Sequence, residues 1–138
     1  MERLPEWERG TPVVLCVDGP HPIPVSTALR AGDHRVLFAL GREREALRRL
    51  RAIPAAALLV LGEGVAFTAF GEAAVVAEQM EVADTIVAVE LRVARLQDHL
   101  ADGRSVILDG ARWRWATEEM AAADEATFAE LERLSSAG

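Results

Sequence analysis

The sequence contains no lysine, no asparagine and no tyrosine, and all 15 of its basic residues are arginine. Covalent pyridoxal-phosphate catalysis forms a Schiff base with a lysine amine, so the sequence excludes that chemistry. Cysteine is nearly absent as well, since Cys16 stands alone in the apolar run VVLCV. A single cysteine forms neither an intramolecular disulfide nor a thiolate metal cluster, and we expect this one to be a small buried hydrophobic residue.

Positive charge and long apolar runs are also scarce. The net charge of −7 argues against nucleic acid or an anionic membrane as the main partner, because both attract clustered positive charge. No apolar run reaches the roughly 18 residues of a membrane span, and the leading MERLPEWERG lacks the apolar core of a signal peptide. We therefore predict a cytoplasmic protein with no nucleic-acid or membrane partner and a single domain over residues 1–138.

The residues that are present alternate in patterns typical of an antiparallel β protein. Apolar and β-branched runs separated by turn residues predict strands, and one apolar face at helical spacing predicts each helix. The predicted strands are 12–18, 25–30, 35–40, 55–61, 65–77 and 84–93, with short extended pieces at 105–109 and 112–115; the predicted helices are 42–52 and 117–134. Strand and helix alternate only once, which favours a small mainly β barrel with peripheral helices over a parallel α/β sheet.

Residues 36–53, VLFALGREREALRRLRAI, concentrate positive charge where a predicted strand meets a predicted helix. Two interpretations stay open here. Arginines at a helix N-terminus, after a glycine that lets the backbone approach closely, are suited to binding an anion such as phosphate. The same residues are also typical of a solvated helix face that pairs with glutamates. The arginines are Arg42, Arg44, Arg48, Arg49 and Arg51.

The order of several segments resembles the pyridoxamine 5′-phosphate oxidase-like superfamily of flavin-binding split β-barrels. PHPIPVSTALRAGDHRVLFALG is similar to its paired second and third strands, and REREALRRLRAIPAAALLVLG to its helix and central apolar strand. GVAFTAFGEAAVV is similar to the strand that follows, and RWRWATEEMAAADEATFAELERL to the C-terminal segment of a short bacterial branch. The resemblance implies a six-stranded antiparallel split β-barrel with one inserted helix and a C-terminal helix, and a two-fold homodimer.

The same resemblance implies FMN, or in one branch a deazaflavin, and an oxidoreductase acting on a small molecule. Strand residues would line the ring and ribityl chain, and residues at the next strand end and helix would hold the phosphate. The cofactor-binding residues it implies are Val25, Ser26, Thr27, Ala28, Leu40, Gly41, Arg42, Arg44 and Arg48. No catalytic side chain is identified, because the cofactor carries the chemistry in such proteins.

Two departures from the family pattern narrow the prediction. Many members carry Ser-x-Lys at the helix start, and Ala46 stands at the lysine position here, so an arginine has to replace the lysine if phosphate binds. The C-terminal ARWRWATEE replaces the family's Arg-Leu-x-Pro-type segment, so pyridoxamine phosphate oxidation itself is not implied. The alternative is a cofactor-free barrel of the same fold with a ligand-binding or structural role.

Two remaining features carry weaker signals. His21, His34 and His99 have no metal-ligand spacing, so we predict no metal site and rank a haem-handling relative last. Trp113 and Trp115 alternate, so they are expected to project to one side together. Core or interface packing is the default for such a pair, and stacking on a flavin or substrate is the alternative.

Overall fold

A computed structural model describes residues 1–137 of the chain. Within that range lie seven strands and two helices. The strands are β1 (Val13–Val17), β2 (His21–Val25), β3 (Ala28–Gly32), β4 (Arg35–Gly41), β5 (Ala55–Gly62), β6 (Val65–Ala77) and β7 (Ile86–Asp98); the helices are α1 (Glu45–Ala52) and α2 (Glu118–Ala137). The fold is mainly β, as predicted.

All seven strands form one antiparallel sheet in the order β2-β1-β5-β6-β7-β4-β3. The two edge strands, β2 and β3, are consecutive in sequence and are joined only by Ser26 and Thr27. A two-residue link cannot cross the width of a flat seven-stranded sheet, so the sheet curls until its edges meet. We call the gap between these edges the seam; β2 also lies against β4 across it.

The strand count corrects the prediction of six. The predicted strand 25–30 is two pieces on opposite edges of the sheet, because β2 ends at Val25 and β3 begins at Ala28. The prediction missed the break because Val-Ser-Thr-Ala reads as continuous extended chain. The short extended pieces at 105–109 and 112–115 are not strands either. Residues 105–115, here called the strap, have no regular secondary structure.

The inner face of the curled sheet holds the main core. Phe38, Phe67 and Leu58 are at most 1% exposed, and burying each such side chain contributes about 1.5–3 kcal/mol. Leu47 and Leu50 of α1 pack into the same cluster. The predicted helix 42–52 begins three residues late, at Glu45, because residues 42 and 43 lie in a turn closed by the Arg44 amide donating to the Gly41 carbonyl at 3.0 Å.

The outer face of β3, β4 and β7 is covered by α2. Leu37 and Ala88 point outward yet are at most 1% exposed, because they pack with Leu131 of the helix. On this face of β7, Ala88 and Glu90 are buried, whereas Arg92 is exposed. The Thr117 hydroxyl caps α2 by accepting the Met120 amide at 3.1 Å. Across residues 1–137, neither helix combines the length and the apolar character needed to cross a membrane.

A bulge at Gly71 helps the longest strands bend around the barrel. The β6–β7 register shifts between Phe70 and Gly71, and a Cβ added at Gly71 would lie 1.9 Å from the Arg92 carbonyl oxygen. A close backbone approach therefore requires glycine at this position.

Gly71→Ala is expected to lower the free energy of unfolding by about 1–3 kcal/mol or more, because the backbone of β7 must shift to admit the methyl group. Urea unfolding followed by circular dichroism measures this. Gly41→Ala is the control, since its added Cβ would meet only the Arg44 side chain at 3.4 Å. Equal stability of the two variants would show that the bulge tolerates a side chain.

Candidate functional site at the seam

A cleft of about 300 Å³ opens at the seam, where the Ser26–Thr27 link, the end of β4 and the N-terminal half of α2 meet. We call it the seam cleft. Its walls are mostly apolar, and a few polar side chains reach it, which is the usual character of a small-molecule site. The lining residues are Pro24, Val25, Ser26, Thr27, Ala39, Leu40, Gly41, Arg44, Ile86, Trp115, Met120, Ala123, Asp124 and Thr127.

The fold brings together most of the residues that the family resemblance implied. Val25, Ser26, Thr27, Leu40, Gly41 and Arg44 line the seam cleft, whereas Ala28, Arg42 and Arg48 do not. The first group converges because β2 ends and β4 ends at the same corner of the barrel. That any of these residues binds a cofactor stays a prediction.

The Arg42 side chain is hydrogen-bonded to the loop between β6 and β7. Its Nε donates to the Asp84 carbonyl at 3.0 Å and its Nη2 donates to the Glu78 carbonyl. Its backbone amide also donates to the Thr85 carbonyl at 2.7 Å. These bonds hold Arg42 as a brace between the end of β4 and the loop, away from the seam cleft.

The arginines further along α1 are paired as well. Arg48 donates to the Glu45 carboxylate at 2.8 Å, and Arg51 makes two bonds of 2.7 and 2.9 Å to the Glu78 carboxylate. Arg49 donates to the Asp18 carbonyl at 2.9 Å. The interpretation as a paired, solvated helix face therefore describes Arg48 and Arg51, whereas Arg49 is half-buried. We expect each exposed pair to add little stability.

Arg44 differs from the rest of the arginine group. It is the N-cap residue of α1 and its side chain lines the seam cleft. Within residues 1–137 its backbone is hydrogen-bonded, but its guanidinium makes no hydrogen bond or ion pair. The side chain is therefore free to pair with an anion beside Gly41 and Ser26. Ala46, at the family's lysine position, is 1% exposed and packs in the core, so a lysine there would point away from the seam cleft.

Asp124 of α2 ties three parts of the chain together across the seam. The Thr27 hydroxyl donates to Asp124 Oδ1, and Arg9 Nη2 donates to Asp124 Oδ2 at 2.8 Å. Arg9 Nη1 also pairs with Glu125 at 3.0 Å, and its guanidinium lies 4.2 Å from the centre of the Phe128 ring. Burial opposes the charge of Arg9, but hydrogen bonds and charges from Asp124 and Glu125 outweigh it and raise its pKa above the ordinary value.

A second, larger cleft adjoins the first. It encloses about 840 Å³ between the strap, the N-terminal segment and the start of α2, and it shares Ser26, Trp115 and Asp124 with the seam cleft. We call it the strap cleft. Trp113 and Trp115 face each other edge to face in its wall, with ring centres 5.4 Å apart and planes at 82°. They lie together as expected, but on the strap and not on a strand.

Sequence reasoning missed the contribution of α2 to this site. It placed the helix correctly, but Met120, Ala123, Asp124 and Thr127 reach the seam cleft only because the helix packs across β3 and β4. The one local signal was an acidic Asp-Glu pair within the small-residue surface AAADEATF. The sequence around Asp124 does not indicate which residue its carboxylate contacts.

Comparison with known proteins supports the fold. No family model matches the chain, and no curated protein matches it in sequence. Among solved structures, it is similar to a protein from Lactobacillus delbrueckii provisionally named a pyridoxamine 5′-phosphate oxidase, with 14% identity, a TM-score of 0.56 and coverage of 70% of this chain and 95% of that one. It is also similar to an F420 reductase, with 15% identity, a TM-score of 0.55 and coverage of 68% and 98%.

A third similar structure is General Stress Protein 26 from Bacillus anthracis, with 12% identity, a TM-score of 0.51 and coverage of 63% of this chain and 82% of that one. At such low identity the likeness concerns the fold. The chain therefore has the split-barrel fold of pyridoxamine 5′-phosphate oxidase-like proteins. The expected fold is confirmed, with seven strands in place of six.

Asp124→Ala is expected to destabilise the protein by about 1–3 kcal/mol, because it leaves the buried Thr27 hydroxyl without its acceptor. Glu125→Ala is the matched control: it removes the neighbouring carboxylate, which also pairs with Arg9 but is 72% exposed, and should change stability by no more than about 0.5 kcal/mol. Thermal unfolding measures both. A loss confined to Glu125→Ala, or no loss in either variant, would contradict the assigned role of Asp124.

Proposed function

We propose that the chain binds a flavin-type cofactor, FMN or a deazaflavin, at the seam cleft and acts as an oxidoreductase on a small molecule. The observation that carries the proposal is Arg44, an unpaired arginine that lines a cleft beside Ser26 and Gly41 in a split-barrel fold. The names of two similar structures, a provisionally assigned pyridoxamine 5′-phosphate oxidase and an F420 reductase, support the class of cofactor.

The residues around the seam cleft fit the two chemical parts of such a cofactor. A guanidinium forms paired hydrogen bonds with phosphate oxygens, and Arg44 with the exposed Ser26 hydroxyl supplies suitable donors. Pro24, Ile86 and Trp115 supply apolar and aromatic wall for a planar ring. About 300 Å³ is at the lower limit for a ligand site, so a whole cofactor would extend beyond the seam cleft toward a second copy.

The chain's own residues have binding and positioning roles in this proposal. Arg44 and Ser26 hold the phosphate, and the Val25–Ser26 backbone borders the ring. Hydride transfer is the chemistry that a bound flavin or deazaflavin supplies. Asp124 is paired with Arg9 and accepts a hydrogen bond from Thr27, and these contacts fix the wall of α2 on which the cleft depends. Pyridoxamine phosphate itself is not proposed as the substrate.

A second candidate function is a cofactor-free barrel that binds another ligand or has a structural role. One observation favours it: the Asp124 carboxylate lines the seam cleft and already accepts the Thr27 hydroxyl, a donor that a phosphate would otherwise use. The burial of Ala46 removes the usual lysine as well. Binding of FMN by the purified chain separates the two candidates.

Arg44→Ala is expected to weaken FMN binding about 10- to 100-fold, the equivalent of losing a charge-assisted hydrogen bond to phosphate. Quenching of flavin fluorescence on titration measures the affinity, with the deazaflavin titrated in parallel. Arg48→Ala and Arg51→Ala are controls, because both side chains are paired with glutamates.

The family resemblance also implied a role for Arg48, and the same titration tests that role. A large effect of Arg48→Ala with none of Arg44→Ala would move the phosphate site along the helix. Absence of FMN and deazaflavin binding by the unaltered chain would overturn the cofactor proposal in favour of the cofactor-free barrel.

We also propose that the chain forms a homodimer that covers the strap. Val106 and Leu108 lie on the strap and are 71% and 82% exposed, and large apolar side chains clustered on a surface are typical of interfaces. A second copy seated there would shield these residues and enclose the open side of the strap cleft.

Leu108→Asp is expected to weaken dimerisation about tenfold or more, because it puts a charge at the centre of the proposed interface. Val76→Asp is the matched control, since Val76 is 45% exposed but lies on β6 away from the strap. Light scattering over a range of protein concentrations measures both. A monomer in the unaltered chain, or equal weakening by both variants, would reject this interface.

A further inference from the structure

We propose that the strap cleft binds a planar aromatic molecule that carries a positive charge, such as a protonated amine attached to a ring system. The proposal follows from three properties of the cleft, namely its size, its pair of indole rings and its balance of charge. This molecule would be the substrate of the oxidoreductase proposed above. The proposal rests on that function only in calling the molecule a substrate. Binding of the cation is a property of this cleft alone.

The size of the strap cleft suits a small molecule of one to three rings. Its volume of about 840 Å³ lies within the range of roughly 300–1,000 Å³ typical of ligand sites. The cleft is formed by backbone that is held in place, since the Gly64 amide donates to the Ile107 carbonyl at 2.9 Å. The strap is thus tied to the barrel at its start and runs into α2 at its end.

The two tryptophans provide an aromatic wall. Trp113 is 43% exposed, and its Nε1 donates to the Gly10 carbonyl at 2.8 Å, which fixes the orientation of the indole. Within residues 1–137, the arginines that stack on aromatic rings are Arg9 on Phe128 and Arg95 on Phe70. Neither tryptophan is therefore occupied by a cation of the chain itself, and tryptophan is the strongest cation–π partner among side chains.

The charge around the cleft favours a cation over an anion. Arg9 is already neutralised by Asp124 and Glu125, and Arg114 is turned to the Trp115 carbonyl at 3.2 Å. The remaining lining charges are Glu8, Glu63, Asp109 and Glu118 against Arg112 and Arg114. A concave surface with low-dielectric walls strengthens this excess of negative charge, and the whole chain adds a net charge of −7.

The position of the strap cleft beside the seam cleft relates this binding to the proposed oxidoreductase function. Ser26, Trp115 and Asp124 line both clefts, so a ring held by the tryptophans lies next to the seam cleft. A molecule bound there is adjacent to the cofactor of the proposed oxidoreductase. The inference therefore predicts a substrate with an aromatic ring and a protonated nitrogen.

The test is isothermal titration calorimetry of the full chain, without added cofactor and at low salt, with three probes of one shape. The probes are 1-naphthylmethylamine (protonated at pH 7), 1-naphthalenemethanol (neutral) and 1-naphthoate (anionic). The amine is expected to bind about 2- to 30-fold more tightly than the alcohol, the range of a cation–π contact. The carboxylate is expected to bind most weakly of the three.

Substitutions assign the binding to the cleft. Trp113→Leu keeps apolar volume but removes the π face, and is expected to erase the preference for the amine over the alcohol. Asp109→Asn combined with Glu118→Gln is expected to narrow that preference several-fold and raise binding of the carboxylate. Glu72→Gln is the control, since Glu72 is exposed on β6 and does not line the cleft.

The outcomes separate this inference from the others. Equal affinities for the three probes, or a preference for the carboxylate, would overturn it. An unchanged preference for the amine in Trp113→Leu would also overturn it. Loss of amine binding when the chain dimerises would overturn it too, because the cleft would then be part of the dimer interface. If the chain binds the amine but no FMN, this inference is supported and the proposed cofactor function fails. If the chain binds FMN but not the amine, the cofactor function is supported and this inference fails.

Discussion

The structure depends on the two-residue link between the edge strands of its sheet. Ser26 and Thr27 join β2 to β3, which lie at opposite ends of the seven-strand order. The three Cα–Cα steps from Val25 to Ala28 span at most about 11 Å, so the sheet closes on itself. The twist of antiparallel strands makes such curling possible, and the bulge at Gly71 adds bend where β6 passes β7. A single inner core and a single seam follow from this constraint.

The seam needs a cover, and α2 supplies it through polar contacts as well as through the apolar packing of Leu131. Thr27 is 8% exposed and Glu130 is 5% exposed, and each has a partner across the interface. The Glu130 carboxylate accepts the amides of Glu81 and Val82 at 2.9 and 3.0 Å, which ties α2 to the loop between β6 and β7. Buried polar groups are costly unless they are paired, so these contacts fix where the helix sits. The seam cleft is the space left between that helix and the closed edge.

Sequence reasoning predicted the elements better than their arrangement. β6 was predicted at its observed bounds, and α2 was predicted to begin at 117, one residue before its observed start at Glu118, since periodicity is local. The break at Ser26–Thr27 was missed because both residues are compatible with extended chain on either side. Tertiary packing under α2 buries Ala88, and local periodicity does not indicate that contact.

The site can be described in the same way: the local sequence shows which residues are present, and tertiary contacts determine which of them reach the cleft. Five arginines at a strand–helix junction were visible in the sequence, and the resemblance pointed to Arg42, Arg44 and Arg48 alike. Partners distant in sequence distinguish them: Arg42 bonds to Glu78 and Asp84, which lie beyond two strands. The three-residue delay in the start of α1 also matters, because it makes Arg44 the N-cap residue and turns it to the seam cleft.

Arg44 and Asp124 set opposite electrostatic conditions in one small cleft. Asp124 would repel a phosphate, but Arg9 and Thr27 bind both of its oxygens, so much of its charge is compensated within the wall. Arg44 has no such partner within residues 1–137, so its charge acts on whatever enters. The seam cleft thus keeps a positive charge in an acidic chain, because Arg44 is unpaired and because Arg9 compensates the nearest carboxylate. Of the five arginines in residues 42–51, Arg44 has the unpaired guanidinium, and the other four hold the surrounding loops and helix in place.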